Sequence, residues 1–175
     1  MKLNVLLERQ FKSLEYLTKQ HFGNTRDTAS NRVQLSDIKY IPSIEQGWIE
    51  VRSNSTTGGK QYHTILRFNE IEFVDPDEEE ANEYPSFVGE DGKTYFIKPR
   101  RSVDVMVKCD CDDFRWRFAT FNFADGSLAG DPPPPYVKKT KRPPVNPSQV
   151  PGICKHIFKL KKTLERDKIF DMLLN

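Results

Sequence analysis

The sequence predicts an α+β fold: a small antiparallel sheet with an N-terminal helix, and a C-terminal helix tied to a strand. Three observations lead there. Apolar residues recur every three or four positions near both ends of the 175-residue chain. Short or alternating apolar runs, bounded by Gly, Ser and Asp, fill the middle. All three cysteines fall into two tight groups, Cys109-Asp110-Cys111 and Cys154-Lys155-His156. The first group follows an alternating run and the second precedes a helical one.

Taken in order, residues 3–22 read as a helix, with Leu3, Leu6, Leu7, Phe11, Leu14 and Leu17 on one stripe and Gly23-Asn24 as a stop. Glu8–Lys12 and Glu15–Lys19 are favourable i,i+4 pairs on its polar face. Such a helix can cover its own sheet or dock as an arm on another subunit. Residues 24–34 are polar and read as a linker or surface loop. Residues 35–101 form a strand-rich region. Trp48–Val51 is a short strand, SNSTTGGK (53–60) a long flexible tip, and QYHTILRF (61–68) an alternating strand. Its Tyr62, Thr64, Leu66 and Phe68 share one face, and His63 lies on the other. Ile71–Val74 extends or follows that strand. Asp91-Gly92 marks a hairpin joining Ser86–Val88 to Thr94–Ile97.

The remaining module spans residues 103–175. VDVMV (103–107) alternates into the first cysteine pair, and FRWRFATF (114–121) is also read as alternating, with Phe114, Trp116 and Phe118 on one face. Residues 124–152 are loop, longer than ordinary connections. Eight of the 12 prolines lie between Pro132 and Pro151, so this excursion is stiff. Helical periodicity resumes from Ile153 to Leu174, with Ile157, Leu160 and Leu164 on one stripe and Phe170, Leu173 and Leu174 continuing the apolar content.

Hydrophobic residues make up 37% and charged residues 30%, as in a folded domain with long polar excursions. Net charge is only +2, but its distribution is uneven. Residues 70–91 carry ten acidic side chains and no basic one; residues 136–175 carry ten basic and three acidic. That polarity either orients the protein on a partner or marks two solvated segments. No apolar run approaches the ~20 residues that span a bilayer, and MKLNVLLERQFKSL is charged too early for a signal peptide. A cytoplasmic setting and no membrane partner are therefore expected. No P-loop, H-E-x-x-H, G-x-S-x-G or dinucleotide fingerprint occurs, and no enzymatic activity is expected.

The cysteine pattern carries the chemistry. C-x-C, 42 intervening residues and C-x-H supply four soft or borderline ligands, Cys109, Cys111, Cys154 and His156. That set matches a closed tetrahedral Zn²⁺ site. Alternate residues of a strand share a face, so Cys109 and Cys111 can converge on one ion. Residues i and i+2 of a helix do not, so Cys154 and His156 should straddle a loop–helix junction. The alternatives are ordinary buried cysteines, an iron–sulfur cluster, which prefers four thiolates, and a catalytic Cys–His pair, which would leave two thiols unexplained.

The C-x-C…C-x-H arrangement, strand before and helix after, resembles the SWIM-type zinc finger over roughly residues 103–164. The words CDCDDFRWRFATFNFADG and NPSQVPGICKHIFKLKKTL resemble a group of tailed-bacteriophage proteins with a SWIM-like module. The resemblance implies Cys109, Cys111, Cys154 and His156 as zinc ligands. Asp113, Phe114, Asn146, Pro147, Pro151, Gly152 and Lys155 belong to the shared wording. It implies a non-enzymatic virion component at a head–tail connector, neck, tail or capsid-accessory position. Such a protein would contact other virion proteins, assemble as a homo-oligomer, and sit in host cytoplasm before assembly. The alternative is a soluble zinc-dependent nucleic-acid-binding protein using Lys138, Lys139, Lys141 and Arg142 of the loop. The run KPRR (98–101), Arg115 and Arg117 add charge, and Tyr136, Phe114 and Trp116 offer stacking surfaces.

Overall fold

A computed structural model describes residues 4–99, 104–135, 137 and 139–168, with no side-chain description for residues 4–10 and 12. The chain is α+β. Helices α1 (Asn4–Phe22) and α2 (Thr25–Ser30) precede strands β1 (Gln34–Ser43), β2 (Trp48–Thr57), β3 (Lys60–Phe68), β4 (Glu72–Val74), β5 (Ser86–Val88), β6 (Thr94–Lys98) and β7 (Val105–Cys109). Helices α3 (Asp112–Arg117), α4 (Ala119–Asp125) and α5 (Lys155–Arg166) follow. The strands form two antiparallel sheets, β1-β2-β3-β7 and β4-β6-β5. No helix among the described residues is long and apolar enough to cross a membrane.

The main sheet grows from the β2–β3 hairpin. Alternation puts Thr64, Leu66 and Phe68 of β3 on the buried face, as the sequence predicts, and Val51 and Ile49 of β2 beside them. The expected flexible tip at 53–60 is instead strand up to Thr57 and again from Lys60, closed by Gly58-Gly59 at φ +58° and +75°. Both residues sit in the left-handed region that a two-residue hairpin turn demands. The segment is polar in composition but not loose. Ser55 is fully buried, and its hydroxyl meets Thr64 Oγ1 across the strands at 3.0 Å.

Two further expectations are corrected, and a third resolves between its alternatives. Residues 24–34 are not simply loop, because α2 forms within them and packs on α5. Lys162 Nζ reaches the α2 segment, hydrogen-bonding Ser30 Oγ at 2.9 Å and pairing with Asp27. Residues 114–121 are helical rather than alternating strand. Phe114 and Phe118, four apart, both face the core, whereas Trp116 is exposed. The 3.6-residue period prevails because α3 begins on a capped N-terminus with Asp112 and Asp113 in its first turn and ends with Arg115 and Arg117. Of the two readings of Ile71–Val74, following β3 holds, with β4 (Glu72–Val74) a separate strand. Glu70 takes φ +59°, and the chain leaves for the second sheet, pairing Phe73 with Ile97. The β5–β6 hairpin around Asp91-Gly92 has the expected partners, Phe87 opposite Tyr95.

One core joins these parts. Phe11 and Leu14 of α1, Phe68 and Leu66 of β3, Val105 and Val107 of β7, Phe118, and Ile157, Leu160 and Leu164 of α5 are buried together. The described part of the α1 stripe thus covers its own chain. Leu3 lies outside the described residues, as do the side chains of Leu6 and Leu7 and the expected apolar positions Phe170, Leu173 and Leu174. Leu128 forms a parallel bridge to Val107. Val107 N donates to Ser127 O and Ala129 N to Val107 O, at 2.8 and 3.1 Å.

Candidate metal centre

Each half of the C-x-C…C-x-H pattern occupies an element boundary. Cys109 ends β7 opposite Thr64. Cys111 is the extended residue that caps α3, its Sγ accepting from Phe114 N at 3.4 Å. Cys154, also extended (φ −86°, ψ 171°), caps α5, and His156 lies in that helix's first turn. The second pair therefore straddles a loop–helix junction, as the i,i+2 geometry requires.

The approach to Cys154 is fixed by three contacts. Asn122 brackets Gly152: its Oδ1 accepts from Gly152 N at 2.9 Å, and its Nδ2 donates to Gly152 O at 3.1 Å. Ile153 N donates to Thr18 Oγ1 of α1 at 2.9 Å. Gly152 is needed for closeness rather than for an unusual φ. A Cβ there would lie 2.5 Å from Phe118 Cε1 and 2.6 Å from Thr18 Oγ1. Upstream, Asn146 is buried and bonds Arg117 O and Val150 O, pinning the loop to α3.

All four predicted ligands converge. One ligand atom from each of Cys109, Cys111, Cys154 and His156 lies within 4.8 Å of the others, and all four residues are buried. Among the described residues this is the group of His, Cys, Asp or Glu side chains that could hold a metal ion. His156 Nδ1 stands 3.7 Å from Cys109 Sγ and 3.9 Å from Cys154 Sγ. A tetrahedron built on Zn–S ~2.3 Å and Zn–N ~2.05 Å has S···N edges of about 3.6 Å. These two spacings are near such edges, and all four donors lie close enough together to hold one ion. The cysteines are free thiols.

Hydrogen bonds from Cys109, then Cys154, hold the Cys111 thiol far below its ordinary value. The same bond to Cys111, with burial, pushes Cys109 up. Burial pushes Cys154 up, reinforced by Cys109 and Cys111. A divalent cation would draw all three toward thiolate, because coordinating thiols deprotonate outright.

Several surrounding residues carry no signal in the cysteine motif. Thr57 Oγ1 lies 3.2 Å from His156 Nε2. The Tyr62 ring sits 4.6 Å from the imidazole at 36°. Thr64 Oγ1 approaches Cys109 Sγ at 3.9 Å. All three come from β2 and β3, far from the motif in sequence. Only the alternation of β3, which puts Tyr62 and Thr64 on one face, hints at a shared target. Of the residues considered for nucleic-acid contact, Phe114 is buried in the core, and Arg117 is tied to Asp113 and to Val145 O. Arg115 and Trp116 are exposed, with the guanidinium 4.8 Å from the indole centroid. Lys139, Lys141 and Arg142 are exposed as well; Arg100, Arg101, Tyr136 and Lys138 lie outside the described residues.

Compared with known protein families, curated proteins and solved structures, the chain matches none.

Proposed function

We propose that this chain is a non-enzymatic structural protein folded around one structural Zn²⁺, serving as a component of a bacteriophage particle. The observation that supports the zinc reading is the buried convergence of three thiols and one imidazole, all within 4.8 Å of one another. Three sulfurs and a nitrogen are the donor set of closed zinc sites. Four protein ligands leave no position for a substrate, and so a catalytic role finds no support. When bound, zinc supplies cross-linking: it joins the end of β7 and the start of α3 to the start of α5.

The particle assignment draws on the resemblance of the cysteine–histidine words to tailed-phage proteins. The stiff, exposed loop suits contacts with neighbouring virion proteins or further copies of this chain. Three measurements test the proposal. Elemental analysis of protein purified without chelator should give one zinc per chain, and a substoichiometric value counts against the metal. Mass spectrometry of purified virions should find the chain at a fixed copy number. Deleting Pro132–Pro144 behind a short Gly-Ser join should leave zinc in place and impair assembly; normal assembly would reduce the loop to a passive strut.

A second reading, a soluble nucleic-acid-binding protein, draws on the exposed Lys139, Lys141, Arg142 and the Arg115–Trp116 pair. It requires an affinity for DNA or RNA that falls steeply with salt. No measurable affinity at ~0.1 M salt removes it.

A further inference from the structure

His156 has two ring nitrogens, and the fold treats them differently. Nδ1 faces the sulfurs, at 3.7 Å from Cys109 and 3.9 Å from Cys154. Nε2 points away from them, to Thr57 Oγ1 at 3.2 Å. Thr57 is the last residue of β2, held beside the turn by pairing with Lys60. Its strand neighbour two residues back, Ser55, meets Thr64, whose hydroxyl in turn faces Cys109 Sγ. Tyr62 lies against the imidazole ring. The β2–β3 hairpin thus supplies no ligand, yet touches two of the four ligands through hydroxyls and a third contact through an aromatic ring.

A neutral imidazole carries one proton, and the nitrogen without it is the one that can bind a metal. We propose that Thr57 is a positioning residue that assigns Nδ1 of His156 to the metal. Its hydroxyl accepts the Nε2 proton and so stabilises the tautomer whose lone pair is on Nδ1. The hydrogen bond also fixes the ring's rotation, since a ring flipped about Cβ–Cγ would put Cδ2 where Nδ1 now faces the sulfurs and Cε1 where Nε2 now meets Thr57. Partners of this kind on the far nitrogen of a ligating histidine set both the tautomer and the basicity of the ligand. The inference rests on the metal reading above and adds which atom binds and what holds it there.

The experiment uses the full chain, loaded with ¹¹³Cd²⁺ and ¹⁵N-labelled at histidine. Scalar coupling between cadmium and nitrogen should appear at Nδ1 of His156, with the ring proton on Nε2. Thr57→Val removes the acceptor while keeping the side chain's shape, and Thr57→Ser keeps the acceptor. The valine variant should lose about 10- to 100-fold in zinc affinity against a competing chelator, and serine should restore it. Coupling at Nε2, or a folded valine variant that holds zinc as tightly as the parent, overturns the assignment. Should the valine variant fail to fold, the coupling in the unaltered chain still decides. A parent chain that takes up neither zinc nor cadmium overturns the metal reading and this assignment with it. Stoichiometric uptake with coupling at the wrong nitrogen overturns the assignment alone.

Discussion

The four-stranded sheet and the three-stranded sheet each carry a long polar excursion, and they anchor it by different chemistry. Residues 75–85 leave the small sheet after β4 and return to β5 with little apolar content. Ala81 and Phe87 are the buried footholds, and Phe87 stacks on Tyr95 at 5.6 Å and tilts against Tyr40 at 5.9 Å. Residues 126–153 leave the main sheet after α4 and return to α5 with amide brackets at Asn122 and Asn146 and a thiol–imidazole cluster at the end. The aromatic anchor is non-directional and tolerates small shifts. The polar, thiol–imidazole anchor works only in one geometry, since buried polar groups must be matched or they destabilise. The first excursion is held by area, whereas the second adds directed bonds to the buried area of Leu128, Ala129 and Ile153.

The sharpest way to break this contrast is Cys154→Ser. It removes one thiolate and, on the proposed reading, the ion, with a loss on the order of 10 kcal/mol before competing terms. Hydrogen exchange should rise first at the start of α5 and across residues 126–153, and far less in β4, β5 and β6. Uniform loss of protection along the chain would show that the two anchors are not separable. Phe87→Ala should produce the mirror image. Truncating a buried aromatic costs about 3–5 kcal/mol, so denaturant unfolding should shift strongly while metal content stays at the parent value.

Asn122→Ala sharpens the comparison without touching a ligand. It strands the N–H and C=O of Gly152, a cost of about 1–3 kcal/mol, and should speed metal release to a chelator because Cys154 lies two residues on. An unchanged release rate would mean that the amide bracket and the cluster act independently.

The smallest effect belongs to Glu15→Gln, at about 0.5–1 kcal/mol for a partly exposed pair. Burial opposes ionisation of Glu15, but Lys19 and Lys161, at 2.6 and 3.0 Å, outweigh it and hold the carboxyl below its ordinary value. Its contribution is therefore complete above the unfolded carboxyl's pKa and is lost as pH falls through the lower folded value. Parent and variant should converge in stability on acidification. A gap that persists at low pH would assign the effect to packing.

Legibility in the sequence followed the kind of force involved. The stripes of α1 and α5, the alternation of β3 and the hairpin at Asp91-Gly92 were readable, because periodicity reports burial of one face. The four cluster residues were readable because thiols and imidazole in close pairs have few other reasons to group. Residues 53–57 read as loop because Ser53 and Ser55 are polar, although Ser55 is fully buried and meets Thr64. Residues 114–121 fit period two and period 3.6 alike until the Cys111 cap and the Phe114–Phe118 pair decide for helix. Thr57 and Asn122 act at distances of 99 and 30 residues along the chain, which no local pattern records.

The bridge between Leu128 and Val107 has a consequence for how copies of this chain can meet. Sheets with open outer strands recruit other strands by backbone pairing. Here the free side of β7 is occupied at its centre by residues 127–129. On the opposite margin, β1 is bulged between Ser36 and Lys39, carries Pro42, and has its Tyr40 carbonyl taken by Glu90 N. Both margins of the main sheet are thus blunted against strand addition. Copies of this chain that meet at the main sheet are therefore steered away from backbone strand pairing and toward side-chain contacts.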